Sequence, residues 1–354
     1  MQNIHEKSMA ENKQKVFVAM SGGVDSSVAA FLLVEAGYDV TGVFMKNWSE
    51  TKNANGECEW RGERRDAERV AAKLGIPFLT FDFEAEYQRD VVEYMDREYS
   101  RGHTPNPDVM CNEKIKFDAF YKEAKRLGAD FIATGHYAQA KNGNLMKVVD
   151  QNKDQTYFLY RIKPEVLRET LFPIGHLTKP ELREVARRAD LPNAEKKDSQ
   201  GLCFVGKVKM HDFLATRIKP KQGNVIDMNG KIIGTHDGVQ YYTIGQRHGL
   251  NLGIEHEYYI CGRDVSTNTI KVTDDKKDPA LLKREIRIAD EHWLCAVHDG
   301  MRVEARIRYR EPLAPATLFK DRIVFDEPEW APAVGQSVVC YEGEKVLGGG
   351  IITE

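Results

Sequence analysis

Val16-Phe17-Val18-Ala19-Met20-Ser21-Gly22-Gly23-Val24-Asp25-Ser26 begins as a short apolar run and breaks into paired glycines. Five apolar residues ending at glycines are the pattern of a strand buried on both faces of a parallel sheet. From Ser26 to Ala36 the residues Val28, Ala29, Phe31, Leu32 and Leu33 take up a helical period, and Gly37 is placed as a helix stop. Strand, glycine loop and helix in this order form a phosphate cradle. The glycines permit positive φ and close approach of backbone N–H groups. The serine hydroxyls add donors, and the helix N-terminus adds about half a positive charge facing the anion. Asp25 would repel a phosphate unless it helps to hold Mg2+ or caps the helix. Two commoner phosphate loops are excluded, because neither GxxxxGK[ST] nor GxGxxG fits these residues.

The alternation continues outward from the loop. Asp39 to Met45, Pro77 to Phe83 and Phe131 to Thr134 read as strands, and Arg64 to Leu74, Glu84 to Tyr99 and Glu113 to Leu127 as helices. Asn47 to Gly62 reads as a polar loop. This order predicts an α/β fold with a doubly wound parallel sheet and right-handed crossovers. Residues 155–219 change character and read as short helices punctuated by Pro164, Pro173, Pro180 and Pro192. Beyond about 222, short strand-like runs alternate with the turn signals Asn229-Gly230, Asp237-Gly238, Asp299-Gly300 and Gly348-Gly349-Gly350. The expected division is a polar extension over 1–14, a catalytic domain over 15–219 with a helical part from about 150, a small β domain over 220–280 and a β-barrel over 281–354.

With 354 residues, 42% hydrophobic and 30% charged, the composition is that of a water-soluble protein of two or three domains. No apolar run approaches the roughly 20 residues that span a bilayer. The first 15 residues lack an apolar signal-peptide core, so a cytoplasmic location with no membrane partner is expected. The net charge of -3 conceals a gradient, since residues 141–220 carry 16 Lys+Arg against 10 Asp+Glu. A local basic surface suits a polyanion, although a solvated charged face explains the same count.

Six cysteines (Cys58, Cys111, Cys203, Cys261, Cys295 and Cys340) are scattered without CxxC spacing. They form neither a disulfide framework nor a zinc site, and each by itself reads as a buried small hydrophobe. Two have unusual surroundings. Cys111 closes Thr104-Pro105-Asn106-Pro107-Asp108-Val109-Met110-Cys111-Asn112, where two prolines exclude regular helix and present Asn106 and Asp108 in a fixed frame. A thiol there, just before a helix N-terminus, has a lowered pKa. Asp108 is a candidate general acid or base. Cys203 sits in Lys197-Asp198-Ser199-Gln200-Gly201-Leu202-Cys203-Phe204, a polar loop entering an apolar patch.

The SGGVDS loop resembles that of the ATP pyrophosphatase (PP-loop) superfamily, whose members cleave ATP to AMP and pyrophosphate while adenylating a substrate. PNPDxxCN, DSQGxCF, Phe44-Met45-Lys46-Asn47-Trp48, Thr134-Gly135-His136-Tyr137-Ala138 and Lys153-Asp154-Gln155 accompany it in order. As a set these are similar to the tRNA-specific 2-thiouridylases, which replace O2 of the wobble uridine with sulfur. The similarity extends through Arg308-Tyr309-Arg310 to Gly335-Gln336. It implies a tRNA-uridine 2-sulfurtransferase with ATP, and Mg2+ beside it, at Ala19, Met20, Ser21, Gly22, Gly23, Val24, Asp25, Ser26, Met45 and Gly135. Asn106, Pro107 and Asp108 would meet the target base. Cys111 would be the nucleophile, and Cys203 would carry a persulfide, the two ending as a disulfide. His136, Lys153, Asp154, Gln155, Arg308, Tyr309, Arg310 and Gln336 would contact tRNA. A persulfide donor, either a cysteine desulfurase or a relay carrier, is the implied protein partner, and no resident metal site is expected.

Three rivals are weighed against this. Amidating relatives need a glutamine-hydrolysing partner and no cysteine pair, and thiolases with an iron–sulfur cluster display CxxC. An RNA-binding module with a vestigial loop would not need Asp25 or both reactive cysteines.

Overall fold

The computed structural model describes residues 13–50, 58, 60–197, 210–250, 252 and 257–353. Cys203 and most of its motif lie outside these residues.

The N-terminal domain is built on β1 (Lys15–Ala19), α1 (Val24–Glu35), β2 (Asp39–Lys46), α2 (Trp60–Leu74) and β3 (Phe78–Asp82). The chain continues through α3 (Glu84–Tyr87), α4 (Glu93–Ser100), α5 (Pro107–Cys111), α6 (Phe120–Arg126) and β4 (Phe131–Thr134). A hairpin follows, β5 (Gln139–Lys141) and β6 (Asn144–Met146), then α7 (Pro164–Arg168), β7 (Thr170–Leu171), α8 (Lys179–Arg188) and α9 (Met210–Ala215). The parallel sheet runs β3-β2-β1-β4-β7. Both faces are covered, as the apolar run of β1 requires. Val16, Val18 and Met20 pack with α1 and α8, whereas Phe17 and Ala19 pack with Val43, Met45 and the helices between Glu84 and Arg126.

Three expectations change here. The helix expected from Glu113 begins at Pro107 and runs to Arg126 through a π-helical stretch over Asn112–Ala119. Proline does not break it, because Pro107 occupies the first helical position, where no N–H is needed. The Asn142-Gly143 pair makes the β5–β6 hairpin with both residues at positive φ, a signal legible in the sequence and overlooked between β4 and the stretch read as helical from 155. Gly348-Gly349-Gly350 is part of a strand, not a turn. A Cβ on Gly349 would meet Val338 O at 2.1 Å, so the glycines let neighbouring backbones close in.

The second half is all-β. The strands β8 (Gly223–Ile226), β9 (Ile232–His236), β10 (Tyr259–Asp264) and β11 (Thr269–Thr273) form a sheet in the order β10-β11-β8-β9. After it come β12 (Leu282–Trp293), β13 (Met301–Arg306), β14 (Ala314–Phe319), β15 (Arg322–Trp330), β16 (Ser337–Glu342) and β17 (Lys345–Ile352). These six close into an antiparallel barrel through the β12–β17 pairing, around Ile286, Val303, Leu318, Phe325 and Val338. Closure removes the exposed edges that an open sheet would present.

The barrel is tied to the N-terminal domain by specific polar contacts. Tyr157 Oη donates to Ser337 O at 2.8 Å and lies 3.1 Å from Ile307 O. Arg161 pairs with Glu113 on one side and with Asp290 at 3.0 Å on the other. Thr104 N–H donates to Val334 O at 2.7 Å. The segment leading into α5 is therefore held from the barrel side.

Candidate active site

The glycine loop leaves β1 at its carboxyl end, where α/β sheets bind ligands. Gly22 takes φ +77°, and a Cβ there would lie 2.3 Å from Glu63 O in the first turn of α2. Gly135, just beyond β4, backs onto the same loop, since its Cβ would meet Ser26 N at 2.5 Å. Ser26 Oγ donates to Gly23 O at 3.0 Å, and Asn193 Nδ2 donates to Gly22 O at 3.0 Å and to Ser27 Oγ at 2.9 Å. These bonds turn the loop carbonyls inward and leave the first-turn N–H groups of α1 facing the cradle.

The loop itself contains no lysine, but two arrive from distant sequence. Lys179, at the start of α8, pairs with Asp25 Oδ1 at 2.6 Å. Lys196 donates to Gly22 O at 3.1 Å and pairs with Asp66 at 2.7 Å. Sequence reasoning missed both, and no local pattern marks them. Asp25 does not cap α1; it lies in the first turn, offset by Lys179. Among the described residues no cluster of three metal-ligating side chains exists.

Asn106 caps α5, its Oδ1 accepting from Val109 N–H at 3.3 Å. Asp108 follows in the first turn and is half-buried. Cys111, the last residue of α5, is 1% exposed and lies in the same apolar cluster as Met45, Trp48 and Phe213. It is therefore inside the helix, with the thiol one turn beyond the positive end. Behind this segment Gln336 Nε2 donates to Thr104 O at 2.9 Å and to Pro105 O at 3.2 Å. We expect Gln336→Ala to lower the thiolation rate several-fold, with a stability loss of about 1–2 kcal/mol for the missing bonds. A loss of RNA affinity at unchanged turnover would contradict this bracing role.

His136 is 8% exposed, and both ring nitrogens have partners inside the protein. Nδ1 lies 2.8 Å from Thr134 Oγ1 and Nε2 lies 3.3 Å from Lys116 Nζ. Burial holds the imidazole well below its ordinary range, and the Lys116 charge adds to the effect.

Three family models cover nearly the whole chain: the tRNA methyl transferase HUP domain over residues 14–207, the tRNA methyl transferase PRC-barrel domain over 211–274 and the Aminomethyltransferase beta-barrel domain over 283–352. The tRNA-specific 2-thiouridylase MnmA of Nitrosomonas eutropha is 46% identical, covering 97% of this chain and 99% of its own. That of Flavobacterium johnsoniae is 42% identical over 96% of this chain and 100% of its own. The chain belongs to the tRNA-specific 2-thiouridylase family. A solved 4-thiouridine synthetase–RNA complex with bound ATP is 19% identical, with a TM-score of 0.34 over 55% of this chain and 46% of its own, too remote to carry an argument.

In this 2-thiouridylase the nucleotide loop leaves the carboxyl end of β1, Gly135 follows β4 and backs onto that loop, and Met45, near the end of β2, lies in the same apolar cluster as Cys111. Cys203, by contrast, lies outside the described residues. No disulfide is found among the described residues, and the one expected between Cys111 and Cys203 is not supported.

The residues expected at tRNA divide by placement. Arg310 is exposed at φ +68°, with its guanidinium 5.1 Å over the Tyr309 ring, and Tyr309 stacks on Phe158 at 4.6 Å. Lys153 is half-buried. Asp154 is 1% exposed and accepts from Thr156 N–H at 2.9 Å, and Gln155 Oε1 accepts from Tyr137 N–H at 2.9 Å. Arg308 donates to Ala331 O and lies 5.3 Å over Trp330. Asp154, Gln155, Arg308, His136 and Gln336 are thus engaged within the protein.

Proposed function

We propose that the chain replaces O2 of the tRNA wobble uridine with sulfur in two stages, adenylation of O2 and then sulfur transfer from a persulfide on Cys203. As a family member it is a tRNA-uridine 2-sulfurtransferase that uses ATP. What supports the mechanism is a lysine-free glycine loop between β1 and α1 together with a cysteine helix that packs in the same apolar cluster as Ala19 and Met45.

Uracil C2 resists direct substitution because oxide is a prohibitive leaving group. Adenylation makes the leaving group AMP. The first-turn N–H groups of α1, with Lys179 and Lys196 flanking, stabilise the departing pyrophosphate. Asp25 would help to hold a nucleotide-borne Mg2+, which would supply positive charge at the phosphates. Asn106 and Pro107 frame the base, which must leave its anticodon stack, and Asp108 takes the N3 proton as O2 attacks the α-phosphorus. The terminal sulfur of the Cys203 persulfide then attacks C2, and the C2–O2 bond breaks to release AMP. Cys111 thiolate attacks Cys203 Sγ, breaks the S–S bond and leaves the outer sulfur on C2. A Cys111–Cys203 disulfide results, which a two-electron reductant clears.

Lys153 and Arg310 supply charge to the tRNA surface, with Tyr309 beside them. Asp154, Gln155, His136, Arg308 and Gln336 shape it from beneath. Arg310→Ala should reduce the slope of log affinity against log salt by about 1, the value of one phosphate contact. Arg308→Ala should instead lower the melting temperature, since its guanidinium bonds the barrel's own Ala331. Equal slopes for wild type and Arg310→Ala would remove Arg310 from the interface. The reaction is placed in the cytoplasm, with a cysteine desulfurase or relay carrier as donor. The direct test incubates the protein with unmodified tRNA, ATP and a persulfide donor, followed by nucleoside analysis. Absence of 2-thiouridine, or its formation without ATP, would overturn the reading.

A further inference from the structure

We propose that Asn193 is a positioning residue of the nucleotide loop, whose side-chain amide fixes the two glycine peptides so that the N–H groups of Gly23 and Val24 face the departing pyrophosphate; this deepens the two-stage reading above and rests on it.

Asn193 lies 171 residues beyond Gly22, in the turn that follows α8. The chain leaves that helix through Asp190, at φ +48°. Leu191 and Ala194 are buried in the same apolar cluster as Val24 and Val28 of α1. Arg183, on α8, closes the turn by donating to Ala194 O at 2.8 Å and to Lys196 O at 3.0 Å. The Asn193 side chain, 6% exposed, is thus presented to the loop from a frame fixed on both sides.

The hydrogen bonds define which way the amide is turned. Ser27 Oγ gives its single proton to Gly23 O at 3.0 Å, so it accepts from Asn193, as Gly22 O does. Both contacts require the NH2 group, and a reversed amide would set oxygen against oxygen. One group therefore controls two successive carbonyls, Gly22 O directly and Gly23 O through Ser27. Both peptides are trans, so each C=O and its N–H point in opposite directions. With the carbonyls turned toward Asn193 and Ser27, the N–H groups of Gly23 and Val24 project to the other side, at the start of α1. An anion at a helix N-terminus is held from there.

Asn193 Oδ1 is buried and has no hydrogen-bond partner among the described residues. An unmet acceptor of this kind destabilises a fold, which points to the NH2 group as the reason for an amide here. Lys196, the second donor to Gly22 O, is shared with Asp66 and is partly exposed. The buried amide is the fixed donor, and it leaves Lys196 able to turn toward the phosphates without loss of the loop geometry.

When the bond from the α-phosphorus to the bridging oxygen breaks, pyrophosphate takes the electron pair and that oxygen gains charge. Donors already aimed at it need no reorganisation at that moment. Asn193 touches no reacting atom and acts only through the loop.

The test compares full-length wild type and Asn193→Leu in melting temperature, affinity for inorganic pyrophosphate, and single-turnover pyrophosphate release with saturating ATP and tRNA. Leucine keeps the branched shape and removes the unmet acceptor, while Gly22 O keeps Lys196 and Ser27 Oγ keeps Gly23 O. The melting temperature should therefore stay near the wild-type value. Pyrophosphate affinity should fall about 10-fold, and release should slow about 100-fold. Release at the wild-type rate would overturn the assignment, whether or not thiolation, ATP affinity or melting temperature changes. If Asn193→Leu does not fold, Asn193→Asp replaces it with the same expected losses, because it keeps the volume and removes the donors. Failure of both variants to fold marks a structural amide and refutes the proposal. Failure of the wild type to release pyrophosphate would defeat the two-stage reading, and the pyrophosphate titration would still test the loop.

Discussion

Cys111→Ser should abolish 2-thiouridine while leaving one round of pyrophosphate release intact. The two outcomes separate because the loop and the thiol act in different stages. Serine nearly matches cysteine in volume, so packing is kept, and at 1% exposure the buried hydroxyl costs about 1–3 kcal/mol unless it finds a hydrogen-bond partner. Chemically the exchange is severe. A hydroxyl is not ionised near neutral pH and does not displace sulfur from sulfur, so the outer persulfide sulfur stays bridged between Cys203 and the base. Loss of a nucleophile of this kind costs on the order of 10^4-fold or more. Mass spectrometry of the tRNA nucleosides gives the answer: normal 2-thiouridine from this variant would refute the scheme. Trapped protein–RNA adduct, cleaved by reductant, is the expected companion.

Gly22→Ala is the second large effect, and it acts at the first stage. At φ +77° an L side chain is strained, at about 1–2 kcal/mol. The larger problem is the Cβ itself, 2.3 Å from the backbone oxygen of Glu63. Backbone cannot rotate away as a side chain does, so the loop or the start of α2 must move. ATP affinity should fall by about 100-fold, or about 2.7 kcal/mol. Gly23→Ala is the control. Its φ is -83°, and a Cβ would meet only Ser21 Oγ, at an ordinary 3.5 Å. Equal losses from the two variants, read by titration with ATP, would sink the steric account.

The contrast between these adjacent glycines shows what was legible beforehand. That Ser21–Ser26 forms a phosphate cradle follows from local residue type, because positive φ and helix N-termini have sequence signatures. That Gly22 and not Gly23 is irreplaceable depends on α2, some 40 residues away. The lysines of the site are the same kind of case. A loop without lysine looks incomplete, and Lys179 and Lys196 come from elements that approach α1 only after the sheet is assembled. The helix carrying Cys111 shows the limit in reverse. Two prolines were read as excluding helix, yet Pro107 at the first helical position begins one, because that position needs no N–H donor.

The alternation of β1 to β4 with helices and the all-β second half were legible in the sequence alone. They rest on period, turn chemistry and residue type, all local properties. Tertiary structure alone decided that Gln336 braces Thr104 and Pro105 from the barrel, that Asp154 and Arg308 are engaged within the protein, and that His136 faces Lys116. Each of these is a contact between segments far apart in the chain or a choice of which way a polar side chain turns. Burial and hydrogen-bond satisfaction across the assembled domains settle such choices, and no local pattern encodes them.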